Sequence, residues 1–494
     1  MQATNDISAL FDLLVIGGGI NGAGIARDAA GRGLRVLLVE KDNLAGATSW
    51  ASSKLIHGGL RYLEQYEFRL VAEALAEREV LLRVAGHLVW PARFIMPHVP
   101  ELRPRWMIRA GLFLYDHLAR RASLPGSHAV RLDVPPYNAG LKPEFRHGFM
   151  YSDCRVDDAR LVVANAMDAR ARGATILVGT ACTGASRVGG VWHARLSNGQ
   201  EVKARAVVNA AGPWVKSVLN TNLAQPSRDA VRLVKGSHIM LPRLYEGDHA
   251  FILQNDDRRV VFMIPFGDAH TLVGTTDVQE DGDGSAPRAS AEEVSYICRA
   301  VSRYLARPVR PEDVVWSYAG VRPLYDDGTS DPSAITRDYT LRVDDDAGAA
   351  PVLSVFGGKI TTYRRLSEHA LEKLAPYFPG MKPSWTASEA FPGSAFGGGT
   401  RMQARDAFFA RHSSIPQATL RGLFRRHGVR AEDVIGDGDL GEDLGGGLTE
   451  RELRWFVDQE WAREVDDVLW IRSKAGLVLS AAQRARVAQL LGRA

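Results

Sequence analysis

Residues 12–40 read DLLVIGGGINGAGIARDAAGRGLRVLLVE, and this stretch decides the fold. Leu13–Ile16 is a short apolar run of strand formers. Gly17, Gly19 and Gly22 follow with the spacing G-x-G-x-x-G. The first glycine permits a tight turn, the second lets a pyrophosphate approach the backbone, and the third allows close helix–strand packing. Ala23, Ala26, Ala29 and Ala30 keep the following helix slim enough to lie near a sheet. A second strand, Val36–Val39, ends in Glu40, whose carboxylate can accept hydrogen bonds from ribose hydroxyls. The helix N-terminus offers N–H groups and a partial positive charge to the pyrophosphate. Spacing alone would be weak evidence. Gly436, Gly438 and Gly441 repeat it, but there Asp437 and Asp439 would repel a phosphate and no strand precedes.

Outward from this stretch, Thr48, Ser49, Ser52 and Ser53 place short hydroxyls where they can complete a phosphate cradle or cap a helix. His57, Gly58, Gly59, Arg61 and Tyr62 follow. Two later junctions resemble the first in texture. ARAVVNAAGPWV (204–215) runs a buried strand into Gly212, and LSVFGGKITTYRRL (353–366) runs one through Gly357, Gly358 and Lys359 into Thr361 and a helix. The landmarks near 17, 210 and 358 imply a nucleotide domain assembled from separate segments. With one convincing fingerprint and no second, a flavin reduced directly by a small substrate fits better than pyridine-nucleotide chemistry.

The expected fold is α/β. A Rossmann-like FAD-binding domain (10–90, 149–230 and 315–385), which resembles the D-amino-acid-oxidase/glutathione-reductase type, carries a mostly antiparallel substrate or cap domain (91–148 and 231–314). A helical C-terminal domain (393–494) follows, with Trp455, Trp461 and Trp470 expected to be buried. It reads as a docking or oligomerisation module, and a homodimer is the expected assembly.

A chain of 494 residues with 46% hydrophobic and 24% charged residues suits a multidomain globular protein. A net charge of +4 does not call for nucleic acid. Three widely spaced cysteines argue against a disulfide framework and suit a reducing cytoplasm. The first eleven residues lack a signal-peptide pattern. The acidic loop at Asp281 and Asp283 lacks the register of a calcium loop, so no metal is expected. No uncharged apolar window is long enough to span a bilayer. RWMIRAGLFLYDHLARR (105–121) interleaves basic and aromatic residues, and suits a half-buried core helix or a helix lying in a membrane interface.

Basic residues beside glycines, prolines and strand ends can converge on an anion: Arg61, Lys235, Arg322, Arg337 and Lys359. His238 on a strand can serve as a base near neutral pH.

GGGINGAGIARDAAGRG, ASSKLIHGGLRYLE, YSDCRVDDARLV, GPWVK, KGSHI, GTTDV, GVRPL, AITRDYTL and SVFGGKITTYR, with DLGEDLGGG near the C-terminus, give the chain a resemblance to the FAD-dependent, quinone-linked glycerol-3-phosphate dehydrogenases. The resemblance implies oxidation of sn-glycerol 3-phosphate to dihydroxyacetone phosphate, with hydride passing to FAD and electrons leaving to a membrane quinone. It implies a peripheral protein on an anionic membrane surface at the inner face of the cell membrane, with 105–121 as its interfacial helix. By motif position it makes His238, Arg322 and Lys359 catalytic, and Arg61, Tyr62, Thr275 and Arg337 substrate-binding. Two alternatives are an oxygen-using glycerol-3-phosphate oxidase and a non-catalytic flavin-binding sensor.

Overall fold

The computed structural model describes residues 9–257, 259–326, 338–346 and 348–492. Five parallel strands form the nucleotide-side sheet, in the spatial order Val352–Gly357, Glu201–Asn209, Phe11–Ile16, Val36–Glu40 and Thr175–Val178. Three distant chain segments thus meet side by side, as the spaced landmarks imply. Tyr339–Asp344 extends this sheet antiparallel. The hairpin Cys182–Val188/Val191–Leu196 joins it through Glu201–Asn209.

Alternation along the strands sends side chains to two separate cores. Leu13 and Val15 face helices Ile20–Gly31, Asp158–Ala171 and Tyr363–Leu374, with Ile25, Ala166 and Leu366 in the same cluster. Leu14 and Ile16 face the other side, with Trp192 and Val202 of the hairpin layer. Each large aliphatic side chain buried there contributes roughly 1.5–3 kcal/mol. Helix approach is close: a Cβ at Gly24 would lie 2.7 Å from Ser367 Oγ and 2.8 Å from the Tyr363 ring.

The second sheet has ten strands and is antiparallel except where Ala250–Gln254 pairs with Val89–Pro97. Its central strand, Val231–Pro242, lies between His270–Gly274 and Trp316–Tyr325. The expected boundaries at 149 and 315 cut through this sheet. His147–Val156 pairs with Val89–Pro97 along its whole length, and Trp316–Tyr325 pairs with Val231–Met240. The apolar runs of these two strands match a nucleotide-sheet strand equally well. Only the long-range partner distinguishes them.

Helices Arg401–Arg411, Gln417–His427, Glu450–Glu460 and Ala481–Leu491 form most of the C-terminal region. It docks on Asp158–Ala171 through buried charge. Arg160 donates to both oxygens of Glu460 and to the Arg426 carbonyl, while Arg426 and His427 share Glu452. Trp455, Trp461 and Trp470 are half-buried, against the expectation of full burial. Trp470 stacks on Trp316 of the large sheet, centroids 4.5 Å apart, so it serves the interface between the two regions. The second G-x-G-x-x-G forms a turn between Ala431–Ile435 and the small hairpin at Asp443–Gly445.

Helix Arg105–His117 has one buried and one exposed face. Ile108, Leu112 and Tyr115 are buried, while Trp106, Met107 and Phe113 are 70%, 46% and 58% exposed. Among the described residues no helix is long and apolar enough to cross a membrane.

Candidate active site

A cavity of about 610 Å³ runs from the C-terminal ends of the parallel strands to the face of the large sheet, at the position where open α/β sheets bind ligands. Gly17, Gly19, Glu40, Thr48, Ser49, Ser52, Ser53, Gly212, Gly357, Gly358 and Thr361 line it, and so do Arg61, Tyr62, His238, Thr275, Arg322 and Lys359. Gly22 stands behind the lining: a Cβ there would sit 1.9 Å from the Gly17 carbonyl oxygen. Arg337 lies outside the described residues.

The nucleotide end is built by close backbone approach. Gly17 has φ of 112°, and a Cβ would meet the Ala210 carbonyl oxygen at 2.6 Å, so the first and second landmarks touch. Gly212 has φ of 56°, but a Cβ there would meet nothing within 4 Å; it borders open space. Glu40 accepts hydrogen bonds from the Gly18 and Asp42 amides at 2.6 and 2.8 Å, while burial pushes its carboxyl pKa up. The Asn21 Oδ1 is buried and makes no hydrogen bond among the described residues, and Asn21 Nδ2 donates to the Gly357 carbonyl at 3.3 Å. Glycine walls, a helix N-terminus at Gly19 and a strand-end carboxylate fit the pyrophosphate and ribose of FAD.

All four hydroxyls expected to complete the phosphate cradle line the cavity, but each has a partner within the protein. Thr48 Oγ1 donates to the Val321 carbonyl at 2.7 Å and Ser49 Oγ accepts from the Ile20 amide at 3.0 Å. Ser52 Oγ donates to Asp158, and Ser53 Oγ lies 2.9 Å from His238 Nε2. Ser49 thus meets the first amide of helix Ile20–Gly31 from outside that helix. Thr361 Oγ1 bridges the amide and carbonyl of His57.

The far end is cationic. Arg322 Nη2 donates to Thr275 Oγ1 at 3.0 Å and Arg322 Nη1 to Asp277. Arg61 Nη1 reaches the other oxygen of Asp277 at 3.4 Å. One carboxylate thus holds two guanidinium groups on one side of the cavity. Gly236 makes room for Arg322, since a Cβ there would lie 2.3 Å from Arg322 Nη2. Lys359 Nζ lies 5.2 Å from the Tyr62 ring centroid, within cation–π range.

His238 is buried and stacks on Tyr318 with centroids 4.9 Å apart and planes 10° apart. Burial first, then Arg322 and Lys54, pushes its pKa well below the usual histidine value, so the ring is neutral near pH 7. Burial and the cations Lys359 and Arg61 do the same to His57 in the cavity wall.

Two readings of the sequence need correction. Lys235 is not in the lining among the described residues; it pairs with Glu293 at 3.2 Å on the opposite face of its strand. Strand alternation carries the signal, because Gly236 and His238 share the cavity face and Lys235 must oppose them. Asp277, three residues beyond Gly274 in GTTDV, was missed as the organiser of the arginines. An acidic residue among expected anion-binding groups reads as a mismatch until its two partners are known.

The FAD dependent oxidoreductase family model matches residues 12–364. The chain is 51% identical over 493 residues to the aerobic glycerol-3-phosphate dehydrogenase of Escherichia coli K12, covering 97% of each chain. It is 46% identical over 483 residues to the D-erythritol 1-phosphate dehydrogenase of Brucella abortus, covering 96% of each. In fold it is similar to a Bacillus halodurans glycerol-3-phosphate dehydrogenase structure complexed with FAD, with a TM-score of 0.74, 24% identity, and 99% and 95% of the two chains covered. The chain therefore belongs to the FAD dependent oxidoreductases, within the glycerol-3-phosphate dehydrogenase family, and FAD is its cofactor.

Proposed function

We propose that the chain oxidises sn-glycerol 3-phosphate to dihydroxyacetone phosphate and passes the electrons to a membrane quinone. The observation that carries this reading is the cation cluster at one end of a cavity whose other end fits a dinucleotide. Arg61 and Arg322, fixed by Asp277 and Thr275, present fork-shaped donors matched to a phosphate. Arg337, outside the described residues, is proposed as a further phosphate ligand.

Held by the glycine walls and Glu40, FAD would supply the hydride acceptor for C2. The protein must position that carbon and take the proton of the 2-hydroxyl. In this proposal the neutral His238 ring accepts that proton, with Ser53 and Tyr318 fixing its orientation. Arg322 and Lys359 polarise the oxygen as it becomes a carbonyl. A bound phosphate also offsets the positive charge of Arg322, one of the two cations that depress the His238 pKa. Substrate binding thereby makes the base more willing to take the proton.

The exposed Trp106, Met107 and Phe113 beside Arg105 and Arg109 support docking of helix Arg105–His117 into an anionic membrane at the inner face of the cell membrane. A homodimer is the assembly proposed, and sedimentation of the holoenzyme measures it.

The 46% identity to a D-erythritol 1-phosphate dehydrogenase favours a second reading, a longer polyol phosphate as substrate. Steady-state assays with both phosphates, under a ubiquinone analogue and under oxygen alone, test the proposal. Preference for glycerol 3-phosphate with quinone reduction supports it. Preference for the four-carbon phosphate would overturn the substrate, and stoichiometric peroxide without quinone reduction would overturn the acceptor.

A further inference from the structure

A second, small cavity of about 10 Å³ lies between the large sheet and the C-terminal region. It is roughly the size of one water. Lys54, Arg155, Arg425 and Lys474 line it, with Asp157 as the one carboxylate in the lining.

The charges do not balance. The Lys54 ammonium is satisfied by Asp158, at 2.9 and 3.0 Å, and by the Trp50 carbonyl. Asp157 accepts the Arg160 amide at the start of its helix. Lys474 is buried, and its ammonium reaches the Ile471 carbonyl at 3.3 Å. Arg155 lies over Trp90 and Arg425 over Phe266. Among the described residues neither guanidinium donates to a carboxylate; Asp157 attracts Arg425 and Lys474, and Asp268 and Asp248 attract Arg425 and Arg155 without a hydrogen bond, so Asp157 and Asp158 together face four cations. Crowding like charges around a space that is half to fully buried costs free energy unless a counter-charge joins them. The strain shows in the lysine: burial and Lys54 push the Lys474 pKa down to about 8.

The backbone points the same way. Lys54 has φ of 57° and Lys474 has φ of 62°, the left-handed region that favours glycine. Two lysines from distant parts of the chain adopt this costly conformation beside the same small space. Such conformations persist where the surroundings require them, and they cluster at binding sites.

We propose that this cavity binds a small inorganic anion of halide size, held by Lys474, Arg155 and Arg425. The anion supplies the missing counter-charge and fastens the C-terminal region to the sheet. The volume excludes a whole phosphate, so the site is distinct in ligand class from the substrate cavity.

Two measurements on the FAD-loaded enzyme test it. Crystals grown in sodium bromide should show an anomalous bromine peak between Lys474, Arg155 and Arg425. In solution, chloride should raise the melting temperature saturably over gluconate at equal ionic strength. Arg425→Gln, at a half-buried position, should weaken the chloride response by about tenfold or more, and Lys474→Met should abolish it if that variant folds. Absence of the bromide peak, equal melting in chloride and gluconate, or an Arg425→Gln response equal to that of the parent would overturn the proposal.

Discussion

The imidazole of His238 lies flat on the ring of Tyr318, planes 10° apart, with its Nε2 2.9 Å from the Ser53 hydroxyl. Stack and hydrogen bond together fix the ring on the cavity wall. His238→Gln should therefore lower the rate of flavin reduction by about 10²–10⁴-fold, the usual worth of a positioned general base, while FAD content and melting temperature change little. Rapid mixing with glycerol 3-phosphate measures this. Unchanged reduction rate and pH dependence would remove His238 from the proposed role.

Asp277 makes a different prediction because it touches both Arg61 and Arg322. Asp277→Asn keeps the shape but releases the carboxylate's hold on two like charges. The arginines should separate, and kcat/KM should fall by about 10²-fold, chiefly through KM. Steady-state kinetics with glycerol 3-phosphate checks the split.

Glycine substitutions separate a cofactor effect from a helix effect. Gly22→Ala places a Cβ 1.9 Å from the Gly17 oxygen, so it should lose FAD and destabilise the fold by roughly 1–3 kcal/mol. Gly111→Ala meets nothing within 4 Å on helix Arg105–His117, and should stabilise by about 0.5–1 kcal/mol. Flavin absorbance and thermal melting report both.

These positions also show how far the sequence reaches. The turn at Gly17, the junctions at Gly212 and Gly357, and the cavity location of His238, Arg322 and Lys359 were legible because local spacing and strand-ends encode them. The placement of Trp316–Tyr325 in the large sheet was not, because its apolar pattern is the same whichever sheet receives it. Nor was the role of Asp277, since a carboxylate that clamps two arginines is defined by contacts from residues 61 and 322. The hydroxyl residues Thr48 and Ser52 line the cavity, but their side chains turn to protein partners that lie 273 and 106 residues away.

The two faces of helix Arg105–His117 should respond oppositely. Trp106→Glu with Phe113→Glu should abolish binding to anionic liposomes and quinone reduction, while glycerol 3-phosphate still reduces the flavin. Leu112→Ala, at a fully buried position, should instead cost about 2–5 kcal/mol of stability. Liposome co-sedimentation and melting curves distinguish them.

Acid sensitivity follows from buried neutral histidines. Burial holds the pKa of His87 and of His238 well below that of an unfolded chain. The unfolded state then binds more protons below about pH 6.5, so stability is full above that pH and falls as the pH drops. Each such histidine adds up to about 1.4 kcal/mol of loss per pH unit. Melting temperature should be insensitive to these groups above pH 7 and should decline below pH 6.5, less steeply in His87→Gln.

The central claim is that the cation cluster and the dinucleotide cavity form one site for a phosphorylated polyol and FAD. Anaerobic titration of the holoenzyme, followed at the visible flavin band, tests it most directly. Glycerol 3-phosphate should bleach the band stoichiometrically, and glycerol or amino acids should leave it intact. A band that persists with glycerol 3-phosphate, or that bleaches equally with glycerol, would contradict the account.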